Sequence, residues 1–248
     1  MGIDSGLPDF RGNDGFWRAY PALGDKGMRF TDIANPRAFR RDPALAWGFY
    51  GHRLQLYRST EPHAGFHALL ALSQQMLNGA FVFTSNVDGQ FQKAGFPAAR
   101  MAECHGSIHR LQCMDDCGQA AWPAASFVPV VDAASGALQS ALPACPACRG
   151  LARPNILMFG DGGWDASQSE QQVARLQAWL ARAQRPVVIE LGAGTAIPTV
   201  RMFGEEVGCP LIRINPDEGE VTLARDVSLR LGARQGILSI VAALQATD

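Results

Sequence analysis

No apolar run in the sequence approaches the roughly 18–20 residues that a membrane-spanning helix needs. No charged-then-apolar segment of the signal-peptide type is present at its start. Neither sign of charge is in excess. Twenty-two Lys and Arg against 23 Asp and Glu leave a formal net charge of −1, so no global field draws the chain onto nucleic acid or a membrane. Lysine is nearly missing, with Lys26 and Lys93 as its two positions. No internal repeat or low-complexity tract is visible. The expectation is a cytoplasmic protein without a nucleic-acid or membrane partner.

What is present fits a folded domain. The chain has 248 residues, 47% of them hydrophobic, enough for one large domain or a domain with a smaller insert. Six cysteines are unevenly placed: three residues separate Cys113 from Cys117 and two separate Cys145 from Cys148, while Cys104 and Cys209 stand alone. In a chain of this size, two short-gap pairs read as a metal site before a disulfide framework. Four thiolates make a tetrahedral zinc site with no position left for water, so the metal holds structure rather than performing chemistry.

Periodicity divides the rest. Residues 43–58 suggest a helix with only a fair apolar stripe. A better helix follows, with Pro62 in its first turn and Phe66, Leu69, Leu70, Met76 and Leu77 near the 3.6 period. Residues 80–84 and 187–191 read as short buried strands, 211–214 as a third and 220–223 as a fourth. Helices are expected over 168–184, 198–207 and 235–245. Residues 104–153 hold the paired cysteines and four of the 15 prolines and show little periodicity, which marks an insert built on a metal. Short apolar strands alternating with helices imply an α/β fold, a parallel sheet with helices on both faces. Such sheets bind ligands beyond the carboxyl ends of their strands.

Four segments carry candidate chemistry. The loop Gly6-Leu7-Pro8-Asp9-Phe10-Arg11-Gly12, followed by Gly15-Phe16-Trp17, combines charge, glycine and aromatics in a way that suits a phosphate- and sugar-bearing ligand. Thr84-Ser85-Asn86-Val87-Asp88-Gly89 follows a strand, where polar side chains point into a ligand crevice or form an ordinary turn. His105, between Cys104 and Gly106-Ser107, stands as a general base or a structural histidine. Gly192-Ala193-Gly194-Thr195 is a tight turn after a strand.

In order, SGLPDFRG, GFW, TSNVDG, HGS, the four cysteines, RPNILMFGD, GAGT and INP resemble the sirtuin family over nearly the whole chain. The resemblance implies a Rossmann-like doubly wound domain at 1–103 and 154–248. It also implies a smaller zinc module at 104–153, joined by a helical part of 25–60. NAD would bind between the two. Activity would be removal of acyl groups from lysine in a protein or peptide, giving nicotinamide and O-acyl-ADP-ribose. By resemblance, Asp9, Phe10 and Arg11 cover the nicotinamide ribose and phosphates. Ser85, Asn86 and Asp88 line the nicotinamide pocket, and Asn86 with His105 forms the catalytic pair, His105 deprotonating a ribose hydroxyl. Gly192, Gly194, Thr195 and Asn215 take the adenosine side. Leu157, Phe159 and Gly160 take the peptide as an added strand. Tyr50 and Arg53 match a Tyr-x-x-Arg pair that holds acidic acyl groups such as succinyl or malonyl. Physically, Arg53 supplies a two-pronged donor for a carboxylate.

The sequence also departs from that pattern. The family's first strand and a Gly-Ala-Gly turn precede the SGLPDFRG loop, whereas Met1-Gly2-Ile3-Asp4 already belongs to it. The expectation is a lost central strand, exposed apolar strand edges, weakened NAD binding, and a Met1 internal to a longer protein. Ser85 stands where Gln is usual, and Asp161 where Glu is usual. An ADP-ribosyltransferase or NAD hydrolase on the same site, and a non-catalytic NAD- or zinc-binding module, are the alternative functions.

Overall fold

Asp42 and Pro43 start the longest helix: the Asp42 carboxylate accepts from the Leu45 amide, and Pro43 occupies the first turn, where no amide is needed. The computed structural model describes residues 1–8, 15, 18–25 and 27–246. Among these, helices of eight or more residues are α1 (Pro43–Ser59), α2 (Ala64–Gln74), α3 (Ser167–Leu180), α4 (Thr199–Glu206) and α5 (Ala233–Gln245). None is long and apolar enough to cross a membrane. Strands are β1 (Val82–Thr84), β2 (Met101–Glu103), β3 (Gly106–Cys113), β4 (Trp122–Pro123), β5 (Ala152–Ile156), β6 (Val188–Leu191), β7 (Leu211–Ile214) and β8 (Val227–Leu229).

The parallel strands form two groups, β1-β2 and β6-β7-β8. β1 and β6 each leave one edge outside these ladders, and their residues are mostly half-buried. Helices pack on them closely. Gly236 lets α5 approach β7, since a Cβ there would meet the Ile214 side chain. A third, antiparallel sheet in the order β4-β3-β5 carries the cysteine segments. α1 packs against this sheet: Trp47 is fully buried and its Nε1 donates to the Ala152 carbonyl at 2.9 Å.

Several expectations need correction. The stripe on α1 is weak because the helix is buried nearly all round, and at Gly48 the Gly136–Ala137 backbone leaves no room for a side chain. Pro62 does not open α2. His63 caps it, its Nδ1 accepting from the Gly65 amide at 3.0 Å, and Met76 and Leu77 lie beyond its end and are exposed. No strand forms at 220–223. The last strand is β8, with Val227 and Ser228 exposed at the sheet edge, so it has no apolar pattern to show. β2, three buried residues, is too short to show a strand's alternation.

Candidate functional site

β1 ends at Thr84, whose Oγ1 accepts from the Asn86 amide at 3.0 Å and turns the chain. Asn86 is exposed and Asp88 buried. The Asp88 Oδ1 accepts from the Gln90 amide at 2.9 Å. Burial pushes the Asp88 pKa up, and that amide bond opposes the shift. The loop therefore presents one accessible amide side chain and one enclosed carboxyl.

His105 lies just after β2, between the β1 loop and β3. Burial lowers its pKa, with a hydrogen bond to the Ser85 backbone working the other way. A neutral imidazole is the form a general base needs. Its Nε2 is 3.5 Å from the Thr199 hydroxyl, the outer limit of a hydrogen bond. Burial pushes the thiol of its neighbour Cys104 up to about 12, which keeps it protonated near neutral pH.

The His105 carbonyl accepts from the Leu157 amide at 3.0 Å, which brings the segment after β5 alongside His105. Leu157 and Phe159 are 38% and 41% exposed, although both are large and apolar. The segment is firmly held. The Phe159 amide donates to the Ala34 carbonyl, Phe30 packs edge-on against Phe159, and Gly160 turns at φ 64. An exposed apolar strip on a fixed backbone is a surface that can take an apolar partner.

The Gly192–Thr195 turn follows β6. Gly192 takes φ 64, a left-handed conformation that favours glycine. Asn215 is buried at the end of β7, and its Nδ2 donates to the Ala193 carbonyl at 3.0 Å while its Oδ1 accepts from the Asp217 and Glu218 amides. The turn meets a carboxylate: Glu218 accepts from the Thr195 amide at 2.7 Å and its hydroxyl at 3.1 Å. Glu218 escaped the sequence reading, since a Glu three residues past Asn215 gives no signal without the fold.

Tyr50 and Arg53 both point inward from α1. Tyr50 stacks on Phe39, and burial pushes its hydroxyl up to about 12 with Arg53 opposing. Arg53 is 9% exposed, and its Nε and Nη2 both donate to the Tyr57 hydroxyl at 3.0 and 2.6 Å. Tyr57 is a partner that the Tyr-x-x-Arg pattern does not announce.

The four paired cysteines converge, with all their Sγ atoms within 4.8 Å of one another. Cys113–Cys148 and Cys117–Cys145 are separated by 3.5 and 3.6 Å, close to the roughly 3.8 Å edge of a tetrahedron with Zn–S bonds of about 2.3 Å. The Asp115 and Gly150 amides donate to the Cys113 and Cys148 sulfurs, as suits thiolates. Asp116 and Arg149 take left-handed φ values of 48 and 66 beside the pairs. The donor set fits zinc and lacks an open position. Asp9, Phe10 and Arg11 lie outside the described residues.

The Sir2 family profile matches residues 1–179. An NAD-dependent protein deacylase of Aquifex aeolicus is 28% identical over 244 residues, covering 97% of this chain and 90% of the relative. One of Aeropyrum pernix is 30% identical over 236 residues, covering 94% and 84%. A solved Sir2 homologue–NAD complex superimposes with a TM-score of 0.70 at 26% identity, over 99% of this chain and 86% of that one.

Proposed function

The chain belongs to the Sir2 family, and from that premise we propose that it removes acyl groups from protein lysine at the expense of NAD. One observation supports the reading: a half-buried His105, its pKa lowered, hydrogen-bonded through its own backbone to the exposed segment at Leu157, beside the Ser85–Asp88 loop. Residues 1–103 and 154–248 are read as the NAD-binding domain, and 104–153 with the helical part of 25–60 as the zinc module.

NAD supplies an electrophilic ribose carbon with nicotinamide as its leaving group. The chain does the rest. Leu157, Phe159 and Gly160 take the acyl-lysine peptide as an added strand, which orients its acyl group toward the ribose. Asn86 and Asp88 line the nicotinamide and ribose, with Ser85 beside them. His105 accepts a proton from a ribose hydroxyl at its unprotonated ring nitrogen. Asp9, Phe10 and Arg11 cover the ribose and phosphates. Gly192, Gly194, Thr195 and Asn215 hold the adenosine side. Cys113, Cys117, Cys145 and Cys148 hold zinc and keep β3 and β5 in register.

The acyl preference is a finer reading. Arg53, a buried cation beside Tyr50, favours an acyl group ending in a carboxylate, such as succinyl or malonyl. Nicotinamide release from NAD tests the main reading: it should require an acyl-lysine peptide. Release at the same rate with unmodified peptide would contradict it.

A further inference from the structure

β3 begins one residue after His105 and ends at the zinc-ligand position Cys113. Its pairing with β5 is broken midway: Ser107 lies opposite Asn155, yet the next pair is Leu111 with Pro154. Such an irregularity re-aims the side chains it carries. Here it turns His109 toward the Asn86–Gly89 loop. The His109 Nε2 is 2.9 Å from the Asp88 carbonyl oxygen. A carbonyl only accepts, so Nε2 carries the proton. The ring also lies against Gly89: a Cβ there would come within 2.7 Å of the His109 Cδ2 and Nε2, and Gly89 holds φ 73. The neighbouring Ile108 amide donates to the Val87 carbonyl at 3.1 Å, and the His109 carbonyl accepts from Ala124 on the far side. β3 thus grips the loop at two successive residues and is itself anchored to the zinc module.

We infer that His109 is a positioning residue for NAD, its Nε2–H and ring fixing the Asp88–Gly89 backbone from the zinc-module strand. This inference rests on the NAD-binding reading of that loop. It assigns the zinc module a part in cofactor affinity: β3 transmits the module's position to the nicotinamide side through the His109 imidazole, beside the Ile108 amide on the Val87 carbonyl.

Two variants separate the contributions. His109→Phe keeps a ring against Gly89 and removes the donor; His109→Gln keeps a donor at similar reach. The primary readout is amide hydrogen exchange at Gly89 and Gln90 in the ligand-free full chain, which needs no activity. His109→Phe should speed exchange there by about tenfold, the effect of one lost hydrogen bond, with exchange in β6 and β7 unchanged. His109→Gln should restore protection. Unchanged exchange in His109→Phe, or loss spread over the whole chain, would overturn the inference whatever the chain's activity. The second readout is KM. His109→Phe should raise KM for NAD several-fold with kcat and the peptide KM nearly unaltered. If exchange responds and the wild-type chain shows no NAD turnover, His109 positions the loop and the deacylase reading fails. If turnover is normal and neither exchange nor KM for NAD moves, the deacylase reading stands and the His109 role falls.

Discussion

Arg153 and Asp161 form a two-bond ion pair, Nη1 to Oδ2 at 2.7 Å and Nη2 to Oδ1 at 2.8 Å, with side chains 2% and 0% exposed. The same carboxylate accepts from the Met158 and Gly163 amides. One buried charge pair thus shapes the segment that carries Leu157, Phe159 and Gly160. Breaking such a pair leaves a charge buried without its partner, which costs about 3–5 kcal/mol. Asp161→Ala should lower the unfolding free energy by about that much in denaturant titration, and should raise KM for acyl peptide more than KM for NAD.

With His105 as the proposed base, its protonation should set the acid limb of activity. Burial lowers its folded pKa below the ordinary 6.5, so the base form persists to lower pH than in a free imidazole. The acid limb of kcat/KM should therefore fall below pH 6.5. For stability the sign is the same: the contribution is complete above the unfolded pKa and is lost as pH falls through the depressed one. His105→Ala should cut turnover by about a hundredfold to ten-thousandfold. NAD affinity, measured by calorimetry, should stay near wild type.

Much of this was legible in the sequence, for identifiable reasons. The cysteine pairs announced their cluster because short-gap thiols have few other uses in a chain of this size. β6 and β7 were legible as short apolar runs. β8 was not, because an edge strand with two exposed residues carries no apolar pattern. α1 was recognisable but its stripe misled, since burial on all sides erases a helical period. At the site, residues in motifs could be named in advance. Their partners were less legible: Tyr57 lies one helical turn from Arg53 on α1, whereas Glu218 on Thr195 and His109 on Asp88 lie 23 and 21 positions away, and only the fold brings those pairs together.

Zinc removal should act on structure before chemistry. Cys113 and Cys145 are buried while Cys117 and Cys148 are exposed, so a strong chelator has access to the site. Chelation, or Cys145→Ser, should lower Tm and release protection across β3 and β5, with loss of NAD turnover following the unfolding. One zinc per chain by elemental analysis should accompany the native state.

Arg53 should decide the acyl group. With wild type, succinyl-lysine peptide should turn over faster than acetyl-lysine peptide. Arg53→Met should reduce that ratio by about tenfold or more, the loss expected for one charge-assisted bidentate contact. An unchanged ratio would remove Arg53 from acyl recognition.

Acyl transfer from lysine to the ADP-ribose of NAD is best checked by its products. The chain is incubated with NAD carrying label in its ADP-ribose half and with an acyl-lysine peptide, and the products are separated by mass. Nicotinamide, free-lysine peptide and labelled O-acyl-ADP-ribose should appear in equal amounts, with turnover to O-acyl-ADP-ribose cut by about a hundredfold or more in His105→Ala. Label appearing as free ADP-ribose without deacylated peptide, or bound covalently to protein, would contradict it.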